Sequence, residues 1–296
     1  MSQTASDQLT PGETQSPGNR ASLLAVRAAG LTDPGRVRPA NEDHFLIAVL
    51  SRSLQVEQTS LPQRGEVRGR NRSHVLLVAD GVGGHAAGEV ASALSVEAVE
   101  GFVLDLLRRF SNLQPTDENG VVSDLRQAML QADARIVEEA GHHPEFTGMG
   151  TTLTMAFTSG RRLFVIHAGD SRCYLMHDGE LRQVTEDHTV AAELARRGVI
   201  RPEEVRRHQW RHVVTNVLGG EGGGVAVEVH RADVGPGDTV LLCTDGLTDM
   251  VDDGQIAAVL AGKAEPAAAC RRLVDLANAA GGHDNVTAIV ARFEDA

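Results

Sequence analysis

An unbroken apolar run, residues 75–79, stops at Asp80 and gives way to Gly81, Gly83, Gly84 and Gly88. The run is long enough for a buried strand and too short for an independent helix, so Asp80 would project from a strand end. The glycines let the backbone turn tightly and come close to a ligand. Beyond them Val90, Leu94, Val99, Phe102, Val103, Leu106 and Phe110 fall at helical spacing, which predicts a helix over 86–110. Strand, Asp-Gly, glycine turn and helix together can present a carboxylate and backbone carbonyls to a hard metal ion. A single Asp-Gly is ordinarily no more than a turn.

Here the feature recurs. The β-rich run 239–243 leads into Thr244-Asp245-Gly246, and the apolar run 163–166 is followed by Ala168-Gly169-Asp170-Ser171-Arg172. Gly281-Gly282-His283-Asp284-Asn285 precedes apolar residues 286–290, and Asn41-Glu42-Asp43 precedes Phe45-Leu46-Ile47. Acidic residues at the edges of so many apolar runs predict carboxylates collected at one rim of a sheet core. They would repel one another unless cations neutralised them. Oxygen donors without a matching His or Cys cluster favour Mg²⁺ or Mn²⁺ over Zn²⁺.

These residues carry a family resemblance. Val37-Arg38-Pro39-Ala40-Asn41-Glu42-Asp43, Ala79-Asp80-Gly81-Val82-Gly83-Gly84-His85 and Gly150-Thr151-Thr152-Leu153 come first. Ala168-Gly169-Asp170-Ser171-Arg172, Thr185-Glu186-Asp187-His188, Cys243-Thr244-Asp245-Gly246-Leu247-Thr248-Asp249 and Asp284-Asn285-Val286-Thr287 follow. In this order, over residues 25–293, the chain resembles the bacterial metal-dependent PPM (PP2C-type) serine/threonine protein phosphatases. The resemblance implies an α+β fold, a four-layer αββα sandwich of two antiparallel sheets flanked by helices.

Composition narrows the alternatives. The formal net charge of −12 speaks against nucleic acid or an anionic membrane as a main partner. Aromatic residues make up only 3%, leaving few stacking platforms for single strands. A hydrophobic fraction of 42% permits a sizeable core. Cys173, Cys243 and Cys270 are odd in number and sit in apolar runs, so they read as reduced core thiols. With no transmembrane-length run and no signal pattern, the expectation is a cytoplasmic monomer.

Residues 1–21 are polar and Ser/Thr/Gly/Pro-rich, so a disordered tail is expected before a phosphatase-like domain over 22–296. A first strand is expected over 22–31 and a second over 45–50. Residues 51–74 are long, polar and arginine-rich, and read as an inserted loop. A breaker region, 111–120, separates the first helix from a second over 122–140. Consecutive β segments from 150 to 176, with a hairpin turn at Asp178-Gly179, imply antiparallel pairing. Residues 189–224 turn short-helical and basic and correspond in the family to a mobile flap near the active site. Strands over 225–230, 239–243 and 286–293, with helices over 256–260 and 266–279, complete the chain.

The resemblance also implies roles. Asp80 would bridge two divalent ions, Mg²⁺ or Mn²⁺, with the Gly81 carbonyl on one and Asp245 and Asp284 on the other. Glu42 and Asp43 would hold water around them, and Asp170 with Asp245 would form a weaker third position. Such ions make hydroxide available near neutral pH to attack phosphorus directly, with Arg38 binding the phosphate. Animal relatives carry a histidine directly after the Asp-Gly pair, where this chain has Val82. His85 could protonate the leaving oxygen or brace the glycine turn. The implied activity is that of a metal-dependent protein serine/threonine phosphatase in signal transduction. Its partners would be phosphorylated proteins, a Ser/Thr kinase or that kinase's substrates. A catalytically weak regulatory member of the fold and a small-molecule phosphate-ester hydrolase are the alternatives.

Overall fold

The structure is a computed structural model that describes residues 24–53, 68–82, 86–109, 118–220 and 224–296. The expected tail, His85 and the middle of the 51–74 stretch lie outside these residues. In chain order the elements begin β1 (Leu24–Asp33), β2 (Asp43–Ser53), β3 (Arg68–Val82), α1 (Ala86–Arg109) and α2 (Glu118–His142). Then come β4 (Gly150–Thr151), β5 (Leu153–Ser159), β6 (Arg162–Ala168), β7 (Arg172–His177), β8 (Glu180–Gln183) and α3 (Val190–Arg196). The last are β9 (Leu218–Gly219), β10 (Glu228–Asp233), β11 (Thr239–Cys243), α4 (Asp245–Thr248), α5 (Asp253–Ala261), α6 (Pro266–Ala279) and β12 (Val286–Asp295).

Two antiparallel sheets form. One runs β1-β12-β11-β7-β8; the other runs β10-β6-β5-β3-β4-β9, with β2 also paired to β3. Side-chain alternation explains why their central strands read as continuous apolar runs. Leu76 and Val78 of β3 enter a core between the sheets with Val165, Leu242, Ile289 and Phe293. Val75, Leu77 and Ala79 point the other way and pack with Ala91 and Val99 of α1 and Met129 and Ile136 of α2. On the far side Leu241, Cys243, Ala288 and Val290 pack with Ile256 of α5 and Leu273 and Val274 of α6. Strands covered on both faces need apolar residues at every position. Four layers result, helices–sheet–sheet–helices, as the resemblance implied.

Some boundaries differ from expectation. The 51–74 stretch is not simply an inserted loop: β2 continues to Ser53 and β3 starts at Arg68, paired Ser51↔Arg72 and Ser53↔Arg68 with a register shift between. The two strands lengthen into a ribbon whose polar sequence carries no apolar alternation. Helix α2 starts at Glu118, inside the expected breaker region, with that acid in its first turn, where the helix dipole favours negative charge. The strand expected to start at Gly150 is interrupted at Thr152, whose N–H bonds the Asp80 carbonyl (2.9 Å) instead of a ladder partner. The strand expected over 225–230 lies three residues later, at Glu228–Asp233. The Asp178-Gly179 hairpin forms as expected, both residues at positive φ (49° and 84°).

Candidate functional site

Strand ends and turns bring the sequence's acidic positions to one end of the sandwich, around a cleft of about 560 Å³. Arg38, Glu42, Asp80, Gly81, Asp170, Asp245 and Asp284 all line it. Asp43 lies buried beneath, directly opposite Asp80 in the β2–β3 ladder. His85 falls outside the described residues.

The backbone around Asp80 is fixed from several sides. Its N–H donates to Thr152 Oγ1 (3.1 Å), and its carbonyl accepts from Thr151 Oγ1 (2.8 Å). Gly81 N donates to the Glu42 carbonyl (3.2 Å). A Cβ on Gly81 would stand 2.3 Å from the Gly88 carbonyl oxygen, so the first turn of α1 approaches β3 this closely only with glycine there.

Asn285 holds the opposite wall. Its amide donates to the carbonyls of Pro34 (3.0 Å) and Ala40 (2.8 Å), and its Oδ1 accepts from Glu42 N (2.8 Å). Asn285 N donates to Asp284 Oδ1 (2.9 Å), and Asp284 Oδ2 accepts from Arg38 (2.6 Å). This one side chain therefore spaces the Arg38–Asp43 segment from the start of β12. Gly246, in α4, packs so closely that a Cβ would lie 2.0 Å from the Asn285 carbonyl oxygen.

The electrostatics are those of crowded carboxylates. Burial pushes Asp80 and Asp245 well above the usual carboxylate range, and neighbouring carboxylates push further. For Asp80 the charge neighbours are Asp43, Asp245 and Asp170; for Asp245 they are Asp170, Asp249 and Asp284. Asp43 is raised to about 7 by burial, although Thr287 and Thr244 oppose the shift by donating to its Oδ2 (2.7 and 2.9 Å). Asp170 is also raised to about 7, by burial and then by Asp187. Arg38 is pushed up by its bond to Asp284.

Among the described residues, Asp43 Oδ1 is buried without a hydrogen-bond partner. A buried acceptor without a donor is costly, and a cation or its water would relieve it. The surrounding donors are carboxylate and carbonyl oxygens, the set that hard divalent ions take. The residues present therefore fit Mg²⁺ or Mn²⁺.

The structure adds residues that sequence reading gave no role. Thr244, Thr287 and Asn285 lie inside the quoted motifs and act as the scaffold just described. His212 and Arg211 reach the cleft from the segment between α3 and β9, with His212 Nδ1 3.2 Å from Asp249 Oδ2. Nothing local in the sequence marks His212; the contact spans unrelated parts of the chain.

A two-sheet sandwich with helices outside and an acidic, arginine-flanked cleft at one end is the architecture of a metal-dependent phosphatase domain. The chain belongs to the protein phosphatase 2C family, whose model matches residues 64–279. It is 37% identical over 250 residues to the serine/threonine protein phosphatase PstP of Mycobacterium tuberculosis, covering 82% of this chain. It spans only 46% of that relative's length. The serine/threonine phosphatase stp of Listeria welshimeri is 32% identical over 259 residues, covering 88% of this chain and 92% of its own. The crystal structure of the PstP catalytic domain in complex with two manganese ions superposes with TM-score 0.71 at 34% identity. That match covers 92% of this chain and all of the other.

Proposed function

We propose that this chain hydrolyses phosphoserine and phosphothreonine in proteins, using two divalent cations, Mg²⁺ or Mn²⁺. The observation that carries the reading is the buried Asp43 Oδ1, unpartnered among the described residues, beneath a cleft of mutually raised carboxylates with Arg38 at its edge. Asp80, the Gly81 carbonyl, Glu42, Asp245 and Asp284 would hold the ions, Asp43 would orient their water, and Asp170 would contribute to a weaker third position. When bound, the ions supply Lewis acidity and make a water acidic enough to act near neutral pH.

Arg38 binds the phosphate. Its guanidinium is held by Asp284 at 2.6 Å, which leaves its other N–H groups for phosphate oxygens and their developing charge. Asn285 positions Glu42, Asp284 and the Arg38 segment together. His85 would donate the proton to the seryl or threonyl oxygen. The substrates on this reading are the products of a Ser/Thr kinase, the setting is cytoplasmic signal transduction, and the chain acts as a monomer. Among the described residues no helix is long and apolar enough to cross a membrane.

The test is hydrolysis of a phosphothreonine peptide by the purified chain, with Mn²⁺ and with EDTA, beside Asp80→Asn. Turnover that requires metal and disappears in the variant is the expected result. A folded, metal-binding protein without turnover would point to a regulatory member of the fold. Turnover of small phosphate esters alone would point to a metabolite hydrolase.

A further inference from the structure

We propose that His212 supplies a nitrogen ligand to a divalent cation held with Asp170, Asp245 and Asp249 at the flank of the cleft. The proposal rests on the reading of the cleft as cation-binding and assigns its outer position a donor of a different kind.

Three separate stretches meet there: His212 comes from the segment between α3 and β9, Asp245 and Asp249 open and cap α4, and Asp170 lies between β6 and β7. His212 Nδ1 lies 3.2 Å from Asp249 Oδ2 and 4.0 Å from Asp245 Oδ2. Donors bound at ~2.1 Å to one octahedral ion sit roughly 3 Å apart when cis and roughly 4 Å apart when trans. The spacing is that of ligands awaiting a shared ion.

A plain ion pair would account for His212 and Asp249, both partly exposed, and would contribute little. It leaves the neighbouring carboxylates unexplained. Asp170 is only 7% exposed and lines the same cleft. Its charge is the first among those acting on Asp245, and Asp249 acts on it in turn. Among the described residues its carboxylate is bonded to no side chain and receives only its own backbone N–H. A nine-tenths buried carboxylate lining one cleft with two others calls for positive charge beyond a single half-exposed imidazole on the rim.

The segment carrying His212 is held in place from both sides. Arg206 donates to the Thr248 carbonyl (3.1 Å), Val190 N to the Val213 carbonyl (2.9 Å), and Thr215 N to the His188 carbonyl (2.8 Å). An imidazole ligand there has two consequences. It shifts preference from Mg²⁺ toward Mn²⁺ or Zn²⁺, which accept nitrogen more readily. It also makes the cation a tie between this segment and α4, so that occupancy fixes one wall of the cleft.

The experiment is a Mn²⁺ titration of the full chain, with bound ions counted by equilibrium dialysis and nitrogen coordination read by pulsed EPR in frozen solution. The expected result is ¹⁴N modulation that grows with the weakest equivalent. It should disappear in His212→Ala together with a roughly tenfold or greater loss of that equivalent's affinity. His283→Ala, at another histidine lining the cleft, should leave it intact. No ¹⁴N modulation at saturation, modulation that survives His212→Ala, or no third equivalent would each overturn the proposal. Peptide hydrolysis measured in parallel separates the readings. Metal-dependent turnover without nitrogen coordination removes only the His212 site, whereas turnover indifferent to EDTA removes the two-metal phosphatase.

Discussion

Asp43 of β2 and Asp80 of β3 face each other directly across the antiparallel ladder. Like charges so placed are destabilising, and here both carboxyls are also driven up by burial. In the metal-free protein Asp43 titrates at about 7, above the ordinary carboxylate range. The folded state then binds more protons than the unfolded state between roughly pH 4 and 7, so this group's contribution to stability falls as pH rises through that window. Thermal unfolding in EDTA should show the loss, and Mn²⁺ should flatten it. Asp43→Asn should remove the pH-dependent part and raise metal-free stability at pH 7, at the expense of turnover. A metal-free profile identical in wild type and Asp43→Asn would contradict this account.

Arg38 offers a separate test, because its role does not depend on filling the metal positions. Arg38→Ala is expected to reduce kcat/KM for a phosphopeptide by roughly 10²-fold, the scale of losing a donor aimed at developing charge. Arg38→Lys should recover only part, since an ammonium cannot hold Asp284 and a phosphate with one planar fork. Full recovery by lysine in steady-state kinetics would reduce the role to net charge.

Gly246→Ala probes the scaffold rather than the chemistry. The added methyl would stand 2.0 Å from the Asn285 carbonyl oxygen, against backbone that is bonded on several sides. Overpacking of this kind costs about 1–3 kcal/mol, measurable by urea denaturation. Displacing Asn285 should also weaken Mn²⁺ binding, because that side chain spaces Glu42 from Asp284. Unchanged stability and Mn²⁺ affinity together would show that the wall yields freely.

Much of this architecture was legible in the sequence where local pattern and position agree. The run 75–79 reads as a buried strand because both its faces are covered, and Asp80 reads as a rim carboxylate because the run stops there. Helix α6 matches its expected span, 266–279, since Pro266 and Gly281-Gly282 punctuate it. The ribbon formed by the ends of β2 and β3 was hidden because polar strands outside the core carry no alternation. The short helix α4 was hidden for another reason: Asp245-Gly246 looks like a turn until Asp249 N is seen bonding the Asp245 carbonyl (2.8 Å). Contacts made only by the fold, such as Thr244 and Thr287 on Asp43 or His212 on Asp249, have no local signature.

His167, away from the acidic cleft, gives the opposite pH dependence. It is fully buried on β6, with Nδ1 2.9 Å from Thr154 Oγ1 and Nε2 3.1 Å from the Glu186 carbonyl. Burial, aided by the neighbouring His188, lowers its pKa from the ordinary 6.5 to about 4. Between those values the unfolded chain takes up a proton that the folded chain refuses, so stability falls as pH drops from 6.5 toward 4. A shift of that size corresponds to about 3 kcal/mol. His167→Gln should lose this acid sensitivity while paying a packing cost at every pH. Because Asp43 acts with the opposite sign over an overlapping range, the wild-type profile alone conceals both. The quantity to measure is the difference in unfolding free energy between wild type and His167→Gln, in EDTA, from pH 4 to pH 7. A difference that grows steadily toward neutral pH marks a histidine held neutral by burial. A constant difference would mean that His167 binds its proton equally in the folded and unfolded chains.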